Sequence, residues 1–296
     1  MTKTLELLGY APGDRVLIIH ADDVGFSHAS NVAVFECLDG GSLTCGSALV
    51  PAPWFAETAQ RSRATGADLG VHMTLTAEYE TYRWRSLTGA PSLHAPDGGM
   101  WRDVPSVVEH VSAGEAKAEL RAQIDHALAM GVDVTHVDTH MGAVMHPKYL
   151  PAYVDLAIEY RLPIFFIRPS ERRLAALGAG ADVYAEQTRR LEDRGFPLLD
   201  NVIVQTLSEI APEDKDVRFR EMFAGLRPGL THFLVHPAAG GPELDAMTPV
   251  DSRNRAKEHE IFRTPALRDY CASIGVKLTG YREIRDRLRD LTPALP

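Results

Sequence analysis

The stretch "RVLIIHADDVGF" (residues 15–26) is an apolar run that ends in two adjacent carboxylates, Asp22 and Asp23. Residues 15–20 have the length and the Val/Ile/Leu content of a buried strand. A surface turn would explain the aspartates, and so would a metal or catalytic site. The rest of the chain discriminates between the two.

Similar runs recur at 43–50, 68–75, 134–140, 163–168, 198–204, 231–237 and 275–281. Helical patterns alternate with them at about 27–39, 53–65, 114–130, 147–160, 182–194, 213–225 and 251–273. Such alternation predicts βαβ units and a parallel sheet. Seven or eight strands in one chain of 296 residues predict a single-domain distorted (β/α) barrel over residues 1–296. A doubly wound open sheet is the alternative, but no glycine-rich phosphate loop follows an early strand. Residues 77–112 form a long polar insertion carrying Trp84 and Trp101, which serve either as loop packing or as stacking surfaces for a sugar ring. A second Gly/Pro-rich loop spans 238–252.

The formal net charge of -9 disfavours a nucleic-acid partner and attraction to anionic membranes. No apolar run reaches the length of a membrane span, and no signal peptide is evident, so a cytoplasmic location is the expectation. The three cysteines, Cys37, Cys45 and Cys271, match no zinc spacing and read as reduced core residues.

Several predicted strands deliver a polar group near their C-terminal ends. These are Asp22 and Asp23, His72, the trio His136, Asp138 and His140, Arg168, and His236. In a parallel α/β protein those ends form one rim, where active sites sit. In "HVDTH" a period of two places His136, Asp138 and His140 on one side of the strand. Such a set needs partners if buried, so it implies a metal site or a polar network lining a sugar pocket. Two imidazoles and a carboxylate suit one divalent ion and leave positions open for water and substrate. Zn²⁺ fits these ligands best, and Mg²⁺, Mn²⁺, Co²⁺ or Ni²⁺ are the alternatives. The aspartate pair would then supply one ligand and one base, with a histidine opposite as acid.

The motifs "ADDVGFS", "LGVHMTLT" (69–76), "THVDTH" (135–140) and "VHP" (235–237) together resemble the YdjC-like carbohydrate deacetylases. That family includes chitooligosaccharide and hopanoid-associated deacetylases. The resemblance implies a distorted (β/α) barrel and metal-dependent hydrolysis of the N-acetyl group of a small sugar or oligosaccharide. Carried over by position, Asp23, His72 and His140 hold the metal, Asp22 is the general base and His236 the general acid. His136 and Asp138 would orient ligands, and Arg168 would meet Asp22 or substrate. A homodimer is implied in the same way. The family often continues the fourth motif with further histidines. Here Met141, Gly142 and Ala143 follow, and the rim is less polar. Two other functions compete: another barrel metallohydrolase, acting on phosphoesters or amides, and a non-catalytic sugar-binding protein.

Overall fold

The computed structural model describes residues 3–204 and 209–291. Seven strands pair in one parallel sheet: β1 (Arg15–Val24), β2 (Cys45–Ala48), β3 (Leu69–Met73), β4 (Val134–Thr139), β5 (Asn201–Ile203), β6 (Gly229–Val235) and β7 (Val276–Leu278). Their order is β4-β3-β2-β1-β6-β5, with β7 added against β1. The central β1 pairs with β6 along Arg15–Ala21. Its other edge is shared, β7 taking Arg15–Leu17 and β2 taking the part from His20 onward. A strand enclosed on both sides should be apolar throughout its first half, and Val16–Ile19 are fully buried.

The sheet curls, and beyond β4 two isolated parallel bridges, Val137↔Ile164 and Ile167↔Leu199, lead toward the start of β5. Residues 163–168, expected as a full strand, supply only these bridges. Pro163 has no N–H to give to a ladder, but its carbonyl accepts from the Val137 N–H and the Phe165 N–H donates to the Val137 carbonyl, both at 2.9 Å, and the Tyr153 hydroxyl adds a further bond to that carbonyl at 2.9 Å. The architecture is therefore a distorted, barrel-like α/β sheet in which the link between β4 and β5 is the weak part.

Helices follow the strands much as the alternation predicts, with local capping that explains several starts. Ser27 caps His28–Leu38, Asp103 caps Val104–His110 and Ser112 caps Ala113–Ala129, each by accepting a backbone N–H three residues on. The expected helix 251–273 is two helices, Ser252–Phe262 and Ala266–Ser273. Pro265 between them lacks a donor and disfavours helical geometry in the residue before it. The loop expected at 238–252 contains a short helix, Pro242–Met247. The insertion at 77–112 is built rather than loose: it holds Val104–His110 and buries Trp84, Leu93, Met100, Val107 and Val111 in the main core.

Parallel strands bring their C-terminal ends to one rim. Asp22 and Asp23 lie at the end of β1, His72 in β3 and Asp138 in β4, while His140 follows β4 and His236 follows β6.

Candidate metal centre and active site

Adjacent residues of a regular strand point to opposite faces, so Asp22 and Asp23 cannot both serve one rim without a distortion. β1 supplies it. Ala21 pairs with Gly46 and Val24 with Ala48, so β1 carries one residue more than β2 across this interval. Asp23 sits in this bulge with φ of 60°, a left-handed conformation that aspartate tolerates better than most residues. The bulge re-aims Asp23, and both carboxylates are buried at the rim.

Asp23 Oδ1 lies 3.6 Å from His72 Nε2 and 3.3 Å from His140 Nδ1. Ligand atoms of the three residues all fall within 4.8 Å of one another. Bonds of about 2.1 Å in a tetrahedron give ligand–ligand edges of roughly 3.4 Å, so these separations fit a divalent ion. The tautomers fit as well. His72 donates from Nδ1 to Asp138 Oδ1 at 2.9 Å, which leaves Nε2 as the lone-pair nitrogen facing Asp23. His140 donates from Nε2 to Glu78 Oε2 at 2.9 Å and turns Nδ1 toward Asp23, where a bound ion would displace the Nδ1 proton. Each imidazole is thus oriented by a carboxylate on its far side, the arrangement that fixes metal-binding histidines. Ser47 in β2 donates to Asp138 Oδ2 at 2.7 Å and steadies that pair.

The other oxygen of Asp23 accepts from both terminal nitrogens of Arg255, at 3.0 and 3.1 Å. Arg255 also donates to the Tyr79 hydroxyl at 3.1 Å. Burial pushes the Asp23 carboxyl up, but the His140 hydrogen bond and the Arg255 charge outweigh it and hold it well below the usual range. For His140, burial pushes the imidazole down. Glu78 and Asp23 outweigh that and raise it to about 10. His72 is likewise pushed down by burial yet raised on balance by Asp138.

Asp22 accepts from His20 Nδ1 at 2.7 Å through Oδ1. Its Oδ2 lies 3.8 Å from His236 Nε2. The His236 backbone N–H donates to Glu258 Oε2 at 2.7 Å, and Glu258 pairs with the buried Lys215 at 2.6 Å. A carboxylate and an imidazole therefore face each other beside the three metal-ligand candidates, the residue types that general acid–base chemistry uses.

Two expected partners, His136 and Arg168, lie elsewhere, and the two tryptophans of the insertion take the packing alternative. His136 contacts His20 Nε2 at 2.8 Å and Thr135 at 3.0 Å, beneath the rim, rather than a ligand of the proposed metal. The Arg168 guanidinium pairs with Glu192, on the helix Ala181–Glu192, and not with Asp22. That helix offers a carboxylate before the rim can. Trp84 is 3% exposed and donates its indole N–H to the Thr76 carbonyl at 2.9 Å. Trp101 donates to the Ser92 carbonyl at 2.8 Å and stacks on His110 at 4.1 Å. Both indoles pack the insertion. Glu78, Arg255 and His20 are absent from the expected set. The buried face of the helix that carries Arg255 is mostly polar, with Ser252, Asn254, Arg255 and Glu258 beside Ile261 and Phe262, so no apolar stripe marked it in the sequence.

The family described as YdjC-like protein matches residues 16–273. A carbohydrate deacetylase of Thermus thermophilus is 35% identical over 82% of this chain and 84% of its own length. A chitooligosaccharide deacetylase of Yersinia enterocolitica is 26% identical over 91% of this chain and 99% of its own. The crystal structure of an Enterococcus faecalis V583 protein, proposed to cleave cellobiose phosphate, superposes with a TM-score of 0.74 at 23% identity. It covers 92% of this chain and 99% of that one, and confirms the fold. Matched from residue 16 to residue 273, the chain belongs to the YdjC-like family.

Proposed function

We propose that this protein is a metal-dependent carbohydrate deacetylase that hydrolyses the N-acetyl group of a small sugar or oligosaccharide. The observation that carries the reading is the convergence of Asp23, His72 and His140 beside the facing pair Asp22 and His236. The names of the curated relatives supply the substrate class.

Asp23, His72 and His140 would hold the ion, and the donor set favours Zn²⁺ over an all-oxygen ion. The chemistry such an ion supplies is Lewis acidity, which acidifies water and polarises a carbonyl. Asp22, held from behind by His20, presents Oδ2 to accept the proton of the attacking water. His236, its backbone fixed by Glu258, presents Nε2 to protonate the departing amine.

Acetate release from a panel of N-acetylated sugars, with protein reconstituted separately with Zn²⁺, Mn²⁺, Co²⁺, Ni²⁺ or Mg²⁺, tests the reading. Turnover should disappear with chelator and with His72→Ala, and should fall about 10²–10⁴-fold in Asp22→Asn. Folded, metal-loaded protein that releases no acetate from any member of the panel would sink it. Glycan binding without turnover would instead mark a sugar-binding protein. A two-metal hydrolase is the competing enzyme reading, because Asp22, His72 and Asp138 form a second donor group next to the first. One bound metal per chain favours the deacetylase and two favour the competitor. The cytoplasmic setting is supported by Cys37, Cys45 and Cys271 being free, buried thiols. The expected homodimer is checked by light scattering.

A further inference from the structure

Beneath the rim lies a buried cluster that the proposed chemistry does not use directly: His20, His136, His232 and Tyr281, each 1% exposed or less. We infer that His20 is the positioning residue for Asp22, and that the other three side chains exist to hold the His20 ring. The inference rests on the deacetylase reading only for its kinetic consequence.

The geometry runs inward from the carboxylate. His20 Nδ1 faces Asp22 Oδ1 at 2.7 Å, so this nitrogen is the donor and Oδ1 is held. Oδ2 is left as the oxygen that faces His236. His20 Nε2 meets His136 Nε2 at 2.8 Å, so both nitrogens of the ring are engaged. Asp138 Oδ2, at 3.6 Å from His20 Nε2, is beyond a hydrogen bond. His20 therefore acts on the base and not on the carboxylate that orients His72.

The ring is clamped on several sides. His136 meets it edge-on with centroids 4.9 Å apart, and His232 lies tilted against it at 4.7 Å. Tyr281 supports both neighbours. It stacks on His136 at 3.9 Å and brings its hydroxyl within 3.0 Å of His232 Nδ1. Room for this arrangement is made at Gly70, where a Cβ would lie 2.5 Å from the His136 ring. A fully buried imidazole costs free energy unless its polar atoms are paired, and an apolar residue would fill the same space without that requirement. The sequence nevertheless places three imidazoles there, and the hydrogen-bonded line through two of them ends on the catalytic carboxylate.

His20→Leu removes the donor at similar volume. His20→Asn returns a donor at the Nδ1 position but cannot reach His136. Both variants are assayed in the full-length, metal-loaded enzyme alongside metal content. A misplaced base costs on the order of 100-fold in rate. His20→Leu should therefore lower kcat by about that much with KM and metal stoichiometry unchanged, and His20→Asn should recover most of the loss. Wild-type kcat in folded His20→Leu, or an Asn variant no better than Leu, would overturn the assignment. NMR of ¹⁵N-histidine-labelled protein decides the point if His20→Leu does not fold. The His20 Nδ1–H resonance should lie far downfield and move upfield in Asp22→Asn, and no change there would overturn the assignment. Wild-type protein that shows this coupling but releases no acetate keeps the His20–Asp22 pair and refutes the deacetylase reading instead.

Discussion

Asp23 is the residue on which most of the site depends, because it has two oxygens with two different duties. One faces the two imidazoles, and the other is neutralised by Arg255. Arg255→Met leaves that second oxygen buried without its cation. Breaking such a pair costs about 3–5 kcal/mol, so the metal-free variant should unfold at markedly lower urea, while added metal restores part of the loss. Glu78 tests a different function of the same shell. Glu78→Gln removes the charged acceptor of His140 Nε2 while keeping the shape. Loss of an orienting partner weakens metal binding by about 10–100-fold, measurable by competition with a chromogenic chelator, and an unchanged affinity would remove Glu78 from the site.

At the scale of elements, the insertion at 77–112 is the part whose reading changed most. Its polar composition left its tryptophans open to loop packing or to stacking on a sugar, yet its aromatic side chains pack inward and its first residues brace the candidate ligands. Glu78 reaches His140, Tyr79 accepts from Arg255, and Tyr82 donates to the Phe26 carbonyl at 2.7 Å. Trp84→Ala should cost about 3–5 kcal/mol, read by urea unfolding, because its ring is enclosed between the Phe26 cluster and His140. A cost near zero would reopen the sugar-stacking alternative for this indole. The rim residues Asp22, Asp23, His72, His140 and His236 were legible because each follows an apolar run and the βαβ rule brings such ends together. The bulge that separates Asp22 from Asp23 was not, since it exists only through the register of β1 against β2. Glu78 and Arg255 were hidden for another reason. They stand in charged stretches, "AEYETY" and "SRNRAKEHE", where nothing local distinguishes a buried charge from a solvated one. The Asp22 alternative for Arg168 fails because a polar residue at a strand end also pairs with whatever helix lies beside it.

Over the whole molecule, the weak link between β4 and β5 is backed on the outside by a charge cluster. Asp155, on the helix Leu150–Tyr160, accepts from Lys117 and from Arg190, both at 2.6 Å, and so ties together three helices around that side of the sheet. Burial pushes the Asp155 carboxyl up, but these hydrogen bonds outweigh it and leave it lowered. A lowered carboxyl stabilises the fold fully above its unfolded value of about 3.9 and loses that contribution as pH falls through the folded value. The difference in urea midpoint between wild type and Asp155→Asn should therefore be largest near neutral pH and shrink below about pH 4. A difference that stays constant across that range would show that the cluster does not couple to folding.

The arginine clamp on Asp23 also has a bearing on how the chain is made. Synthesis runs from the N-terminus, and domains complete their long-range contacts only when both partners have emerged. Asp23, His72 and His140 leave the ribosome well before Arg255, whose helix follows the last rim strand. A nascent chain that already carries the three candidate ligands still lacks the cation that neutralises the outer oxygen of Asp23 and the segment that places His236. The centre is consequently finished late, after nearly all of the barrel-like sheet is available to shape it.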